Sequence, residues 1–388
     1  MAVCFLASFD LATAAQLDTD EEVRHTIRMP VLPRRSFADA VAAASHAEHV
    51  TITSTDRHVT LAGADMWLTV ATQLGCNDPN PNHFVATVPT RQLIAELKGL
   101  PDGDIEITAT QSQIKLRGGK RTATIAQQGR LCEVRAVAAE LWQPLSGALA
   151  TALKQVALAA VNDEARPAVS GVRLTREAII ATDGARLHHR NVGLLWLPRD
   201  LTLPIGCVGA VCDLLAVEAP KKSSKANGTA STTPDFTVAV GANNIAFRST
   251  TATQQRTIYI RLAPEPFVEW RRILDAAVVD TVAVADATKL AAWLRSCPGS
   301  VVELSCGEAE LRLRYQVLDD TGLRLLGEGE DVIEAEVVVK TAPPIKLSVP
   351  YLRDALAGCA GAVRLCWAAG QPLRLSDGDW TAVLMFSR

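Results

Sequence analysis

Asp183, His188 and His189 are the residues whose types and closeness could do chemistry. A carboxylate beside two imidazoles could hold a metal ion or relay a proton. Their spacing argues against both. On a strand, neighbouring side chains point to opposite faces, so His188 and His189 cannot both reach one ion. No third ligand cluster, glycine-rich phosphate loop or nucleophile motif accompanies them, and the Asn227-Gly228 pair lies in a loop-like stretch. The nine cysteines are scattered and none forms Cys-x-x-Cys, so neither a zinc site nor a disulfide framework is expected; a reducing cytoplasm suits them. The expectation is a chain that catalyses nothing and needs no metal or cofactor.

The element that must position these residues is the run Ile179 to Leu187. It starts as a β-strand and breaks at Asp183-Gly184, where Asp can bond its own backbone and Gly tolerates positive φ. Upstream, Ala168 to Leu174 is expected to be another strand. Around them lies a chain of 388 residues, 48% hydrophobic, with a formal net charge of -3. That length suggests two or three domains, and the charge excludes a wholly basic nucleic-acid coat while leaving room for a locally basic surface. No apolar run approaches the ~20 residues that span a bilayer. Met1 to Leu17 lacks a basic start and carries Asp10, so it is expected to be an extension and not a signal peptide.

The pattern also repeats. Val88-Pro89, Leu203-Pro204 and Val349-Pro350 each precede an apolar helical stretch and three alternating runs. The three helices are expected over Thr90 to Leu100, Cys207 to Val217 and Tyr351 to Cys359. The half before each also repeats: amphipathic stretches Arg34 to Ala47, Leu145 to Val161 and Asp286 to Ser296 each lead into strands. Two linkers stand out. Gly75 to His83 is rich in Asn and Pro, and Pro220 to Pro234 is polar without apolar periodicity, with Lys221, Lys222 and Lys225 best explained as a solvated surface.

Several motifs carry a resemblance. Arg166-Pro167-Ala168-Val169-Ser170-Gly171 followed by Ala181-Thr182-Asp183-Gly184-Ala185-Arg186-Leu187 resembles the middle domain of the bacterial sliding clamp, the β subunit of DNA polymerase III, with Ala185 in place of a histidine. Leu61 to Leu68, Val88-Pro89-Thr90-Arg91 with Leu100-Pro101-Asp102-Gly103, Gly241 to Ile245, and Phe267 to Ile273 resemble further segments of that family. The departures are the ending Met385-Phe386-Ser387-Arg388, Val268 where the family has proline, and the lack of an Arg-x-x-Leu-Pro-Ile segment in the first domain.

The resemblance implies an α+β fold of three repeated clamp domains, each with two helices on one side of antiparallel sheets. It divides the chain into an extension 1–27 and domains 28–138, 139–280 and 281–388. It implies a homodimer, two chains head to tail as a ring around double-stranded DNA, which acts as a processivity factor in replication. A ring holds by enclosure, so contacts should be sequence-independent ones to phosphate. Candidate DNA-facing residues are Arg91, Lys98, Lys154, Lys289, Arg295 and Arg353 on the helices, with Arg166 beside the Asp-Gly strand. The family also holds polymerase, clamp loader and repair proteins through short hydrophobic peptides in a cleft between the second and third domains. Matched positions give Val169, Thr182, Gly184, Arg186, Leu187, Arg272, Ile273, Pro372, Val383 and Met385. Leu187→Asp is expected to abolish peptide binding and leave the dimer intact. The competing expectation is a β-rich peptide-binding scaffold that encircles nothing.

Overall fold

The computed structural model describes residues 27–28, 31–55, 57–75, 83–129, 131–132, 141–163, 165–216, 235–263, 266–276, 282–318, 325–339 and 342–387. The expected extension before Ile27, the 220–234 linker and the two domain boundaries near 138 and 280 lie outside the described residues.

One order of elements occurs three times: a short strand, a helix, four strands, a second helix and three strands. The first unit runs from Leu32–Pro33 through α1 (Arg34–Ala43) and α2 (Thr90–Gly99) to the strand Arg121–Ala126. The second runs from Gln143–Pro144 through α3 (Ala148–Ala157) and α4 (Ile205–Leu215) to Gln254–Arg261. A connecting helix, α5 (Trp270–Ala276), leads to the third unit. That unit runs from Ala283–Asp286 through α6 (Ala287–Ser296) and α7 (Val349–Leu356) to Trp380–Leu384. In each unit the opening strand pairs antiparallel with the strand after the second helix, as in Leu32↔Ile105, Gln143↔Val238 and Ala283↔Leu365.

Strand passes into helix without a linker at Pro33, Pro89, Pro204, Asp286 and Ser348, all in extended conformation with ψ between 115° and 135°. Proline cannot donate to a helical ladder and fits a helix start. Asp286 instead caps α6, its carboxylate accepting from the amides of Thr288 at 2.8 Å and Lys289 at 3.0 Å. The two main helices of each unit pack on each other, α1 on α2, α3 on α4 and α6 on α7. Their buried stripes have helical spacing: Phe37, Ala40 and Val41 on α1, Leu93 and Leu97 on α2, Leu352, Ala355 and Leu356 on α7. Gly63 sits where α1 ends against the sheet; a Cβ there would come within 2.9 Å of the Ala44 and Ala47 methyls.

The expected helices are present with displaced ends: α1, α2, α3 and α6 shed turn residues that the expected ranges included, while α4 and α7 begin two residues earlier than expected and end sooner. Two expectations fail in detail. Ala168 to Leu174 is a strand only over Val172–Leu174; Pro167–Val169 is a 3-10 turn, and Gly171 takes φ +98° to re-enter the sheet. The helix α5 was not foreseen.

A second rule links the units. The last strand of the second unit pairs with the third of the four strands in the first, from Gln254↔Leu74 to Ile260↔Leu68. The last strand of the third unit does the same to the second, from Arg186↔Leu384 to Arg190↔Trp380. One apolar core runs through the second and third units and includes Leu68 and Val70 of the first; a separate core fills the first unit.

Candidate functional site

The Asp183-Gly184 turn lies at the seam between the second and third units, locked by its own side chains. Asp183 Oδ1 accepts from the amides of Ala185 at 2.9 Å and Arg186 at 3.0 Å. Thr182 Oγ1 donates to the Arg186 carbonyl at 2.6 Å and accepts from the Gly184 amide at 3.1 Å. Gly184 takes φ +92°, which a side chain would strain. The 3-10 turn is tied to it through Arg166, which donates from Nε to Asp163 at 2.6 Å and from Nη1 to the Asp183 carbonyl at 3.3 Å. That ion pair and the amides of Ala165 and Arg166 hold the Asp163 carboxyl below its ordinary pKa.

The third unit joins the turn through its last strand. Val383 pairs with Leu187 and Leu384 with Arg186, and the Met385 amide donates to the Ala185 carbonyl at 2.9 Å. Leu373 pairs with Leu384, which brings Pro372 alongside the same strand end. The segment before α5 is anchored by the Val268 amide donating to the Ala168 carbonyl at 3.0 Å. The structure thus gathers the residues matched to the peptide cleft, and sorts them. Thr182, Leu187 and Val383 are buried, at 2%, 1% and 2% exposure. Leu187 and Val383 form a small apolar cluster with Ala178, Ile180 and Trp270, against which Phe267, Ile273 and Leu274 pack. They are a floor. Gly184, Arg272 and Met385 are exposed, and Val169, Ile273 and Pro372 half-buried.

Arg186 reaches across the seam. Its guanidinium donates to Asp183 Oδ2 at 2.9 Å and to Asp354 of α7, and it lies 4.3 Å over the Tyr351 ring. It is a strut between two units. Tyr351 and Asp354 escaped the sequence reading because only the apolar stripe of α7 was followed; their position three residues apart on its flank was the available signal.

His188 and His189 fall on opposite faces, as expected of strand neighbours. His188 sets Nδ1 3.2 Å from the Gln155 carbonyl and meets Trp380 edge-on at 5.0 Å. His189 lies against Trp270 at 5.4 Å. Burial pulls both pKa values down to about 4, so both are neutral at pH 7.

The seven residues expected to face DNA are all exposed. Arg91, Lys98, Lys154 and Arg295 form no ion pair among the described residues. Lys289 stands 3.9 Å from Glu334, both well exposed, a pair worth little. Arg353 donates to the Leu294 carbonyl at 2.8 Å and so closes the end of α6, and Arg166 is held by Asp163. The paired helices of the three units carry Arg34, Arg35, Arg91, Lys98, Lys154, Lys289, Arg295 and Arg353 against Asp39, Glu96, Asp213 and Asp354. The helices thus concentrate positive charge in a chain that is slightly negative overall.

No sequence-family pattern and no curated protein matches this chain. Solved structures do. The DNA polymerase sliding clamp of Pseudomonas aeruginosa, solved with a ligand, superposes with a TM-score of 0.77 at 17% identity, covering 93% of this chain and 100% of that one. A sliding clamp from the same organism bound to griselimycin gives 0.78 at 17% identity, over 93% and 99%. The DNA polymerase III β subunit of Thermotoga maritima gives 0.76 at 16% identity, over 94% and 100%. The chain has the bacterial sliding-clamp fold.

Proposed function

We propose that this chain is a DNA sliding clamp: two copies close head to tail into a ring that encloses duplex DNA and tethers replication proteins to it. The observation that carries this is the pair of strands left over by the rule that joins the units. Among the described residues, Arg121–Ala126 pairs only with Gln113–Gly118. In the third unit, Leu325–Val337 occupies the place that receives a following unit, and among the described residues its 325–334 stretch pairs on one side only, with Glu310–Leu318. The first unit of a second copy supplies the missing strand, and two such junctions close a ring. The charges agree. Leu325–Val337 carries Glu328, Glu330, Asp331, Glu334 and Glu336 and no basic residue, whereas the hairpin ending in Arg121–Ala126 carries Lys115, Arg117, Lys120 and Arg121. Leu325, Leu326 and Val332 are exposed on the acidic strand, as an interface core requires.

In such a ring the paired helices line the hole and the sheets form the rim. Arg91, Lys98, Lys154 and Arg295 meet phosphate through water-softened contacts, since tight or base-specific contacts would stop the ring sliding. Enclosure needs no bond making, so the chain works without catalytic residues or a cofactor. Polymerase, loader and repair proteins dock through short peptides whose apolar side chains lie on the rim formed by Ile273, Pro372 and Met385 above the Leu187 and Val383 floor. Among the described residues no helix is long and apolar enough to cross a membrane, in keeping with a role on DNA.

Light scattering on the eluted protein tests the closure. The expected mass is near twice the chain's 41.4 kDa. A monomer at micromolar concentration would instead leave a peptide-binding scaffold that encircles nothing.

A further inference from the structure

The seam between the first and second units is built like the one that carries the candidate cleft, and it is open. At the second seam, Asp183 Oδ1 caps a turn through two amides and the Met385 amide donates to the Ala185 carbonyl at 2.9 Å. At the first seam, Asp65 Oδ1 accepts from the amides of Trp67 and Leu68, both at 2.7 Å, and the Arg261 amide donates to the Trp67 carbonyl at 2.9 Å. Asp65 thus stands for Asp183, Trp67 for Ala185, Leu68 for Arg186 and Arg261 for Met385. The side chains at these positions differ. The strut that Arg186 provides at the second seam is replaced by a buried leucine, 4% exposed. The strand end carries a cation where the second seam carries Met385.

Three cavities share Trp67 here: one of about 960 Å³, lined also by Glu48, Asp65, Met66 and Arg261, and two smaller ones. One, of about 460 Å³, lies between Met66, Trp67, Pro167, Pro204, Ile205 and Ala263. Met66 is 66% exposed, an apolar side chain that nothing among the described residues covers. The acidic groups at this cavity are already used: Asp65 by its turn amides, Asp163 by Arg166. The other cavity, of about 500 Å³, is lined by Trp67, Arg199, Asn243 and Arg261 and, among the described residues, by no carboxylate. Arg261 lies 5.9 Å from the Trp67 ring centre, and Arg199 donates only to the carbonyls of Gly241 and Ala242. Neither arginine has an ion pair among the described residues. An apolar hollow thus adjoins two guanidiniums that form no ion pair among the described residues.

We propose that this seam is a second docking groove, which takes an extended peptide segment of a partner protein carrying an apolar side chain next to a carboxylate. The apolar side chain enters the Met66–Ile205 hollow and the carboxylate meets Arg261 and Arg199. The two seams then differ in the cations beside their hollows, Arg199 and Arg261 at the first against Arg272 at the second. The proposal concerns a surface within one chain and stands whether or not the ring closes.

The chain's methionines give a direct readout, since only four occur and two of them, Met66 and Met385, mark the two seams. The full chain is labelled with ¹³C at the methionine methyls and assigned with Met66→Leu and Met385→Leu. It is then titrated with acetyl-Leu-Phe-Asp-Asp-amide and with acetyl-Leu-Phe-Lys-Lys-amide. The acidic probe is expected to shift the Met66 methyl and to bind there about tenfold more tightly than the basic one. Arg261→Glu, on an exposed strand end, removes that preference, and Arg199→Glu weakens it. A Met66 methyl that stays in place at millimolar probe overturns the proposal. So does an equal response to both probes, or an unchanged acidic preference in both arginine variants.

Discussion

Arg186 of the second unit and Asp354 of the third are joined by a charge-assisted hydrogen bond, with the guanidinium stacked 4.3 Å above Tyr351. The Arg186 side chain is 12% exposed and that of Asp354 32%, so the pair is partly desolvated. A strand pairing and a side-chain strut therefore hold the same seam.

Asp354→Ala leaves Arg186 bonded to Asp183 alone. Loss of a partner to a largely buried cation should cost about 1–2 kcal/mol, less than a fully buried pair because solvent reaches Asp354. Urea unfolding of the variant against the parent measures it. A change below about 0.3 kcal/mol would show that Tyr351 and Asp183 hold Arg186 unaided.

The seam should also be sensitive to acid. Burial lowers the pKa of His188 and His189 from 6.5 to about 4. A lowered histidine pKa means that the unfolded chain takes up protons that the folded one refuses. Stability is therefore fully present above pH 6.5 and is lost as pH falls toward 4, by up to about 2.7 kcal/mol per pH unit for the two groups together. Urea midpoints between pH 7.5 and 4.5 read this, and His189→Gln should remove about half of the slope.

Peptide binding is tested on the rim and not on the floor. Leu187→Asp was the obvious substitution from sequence, but Leu187 is 1% exposed and packs under Trp270, so it would bury a carboxylate and unsettle the fold. Ile273→Asp, at a half-buried position, should abolish binding of a Leu-Phe peptide while the dimer persists. Met385 is 47% exposed, and Met385→Ala should weaken the same peptide by about 1 kcal/mol, read by fluorescence titration. Unchanged affinity in both variants would remove this seam as the docking place.

The ring junction has its own test. Val332 and Leu326 are exposed on a strand that already carries five acidic side chains. Leu326→Asp with Val332→Glu takes apolar area from the proposed interface and adds like charge. It should convert the dimer to a 41.4 kDa monomer on light scattering, with circular dichroism unchanged. A persistent dimer would place the interface elsewhere.

Much of this architecture was legible in the chain, because α1, α2 and α4 follow a proline, Asp286 caps α6, and these helices carry buried residues three and four apart. The Asp183-Gly184 turn was equally legible, since the residue types that make it are the ones that bond their own backbone. What could not be read was decided by tertiary contact. Pro167–Val169 lies in a run that suits a strand, yet it is a turn closed by the Val169 amide on the Arg166 carbonyl at 3.1 Å, with Arg166 bonded to Asp163 before it and to Asp183 beyond it. Helix α5 is short, and Trp270 faces the Leu187 and Val383 cluster, so its pattern is visible only once that sheet exists. The burial of Leu187 and Val383 and the capture of Arg186 by Asp354 follow from a pairing between residues far apart in sequence, which no local periodicity announces.

Enclosure itself is the central claim, and retention on DNA of different topology tests it. The chain is loaded onto a nicked circular duplex, the unbound protein is removed, and the DNA is then cut once. Retention on the circle at moderate salt with prompt loss after cutting is the expected result. Protein that stays bound after cutting, or that never stays on the circle, would contradict a ring that holds by surrounding the duplex.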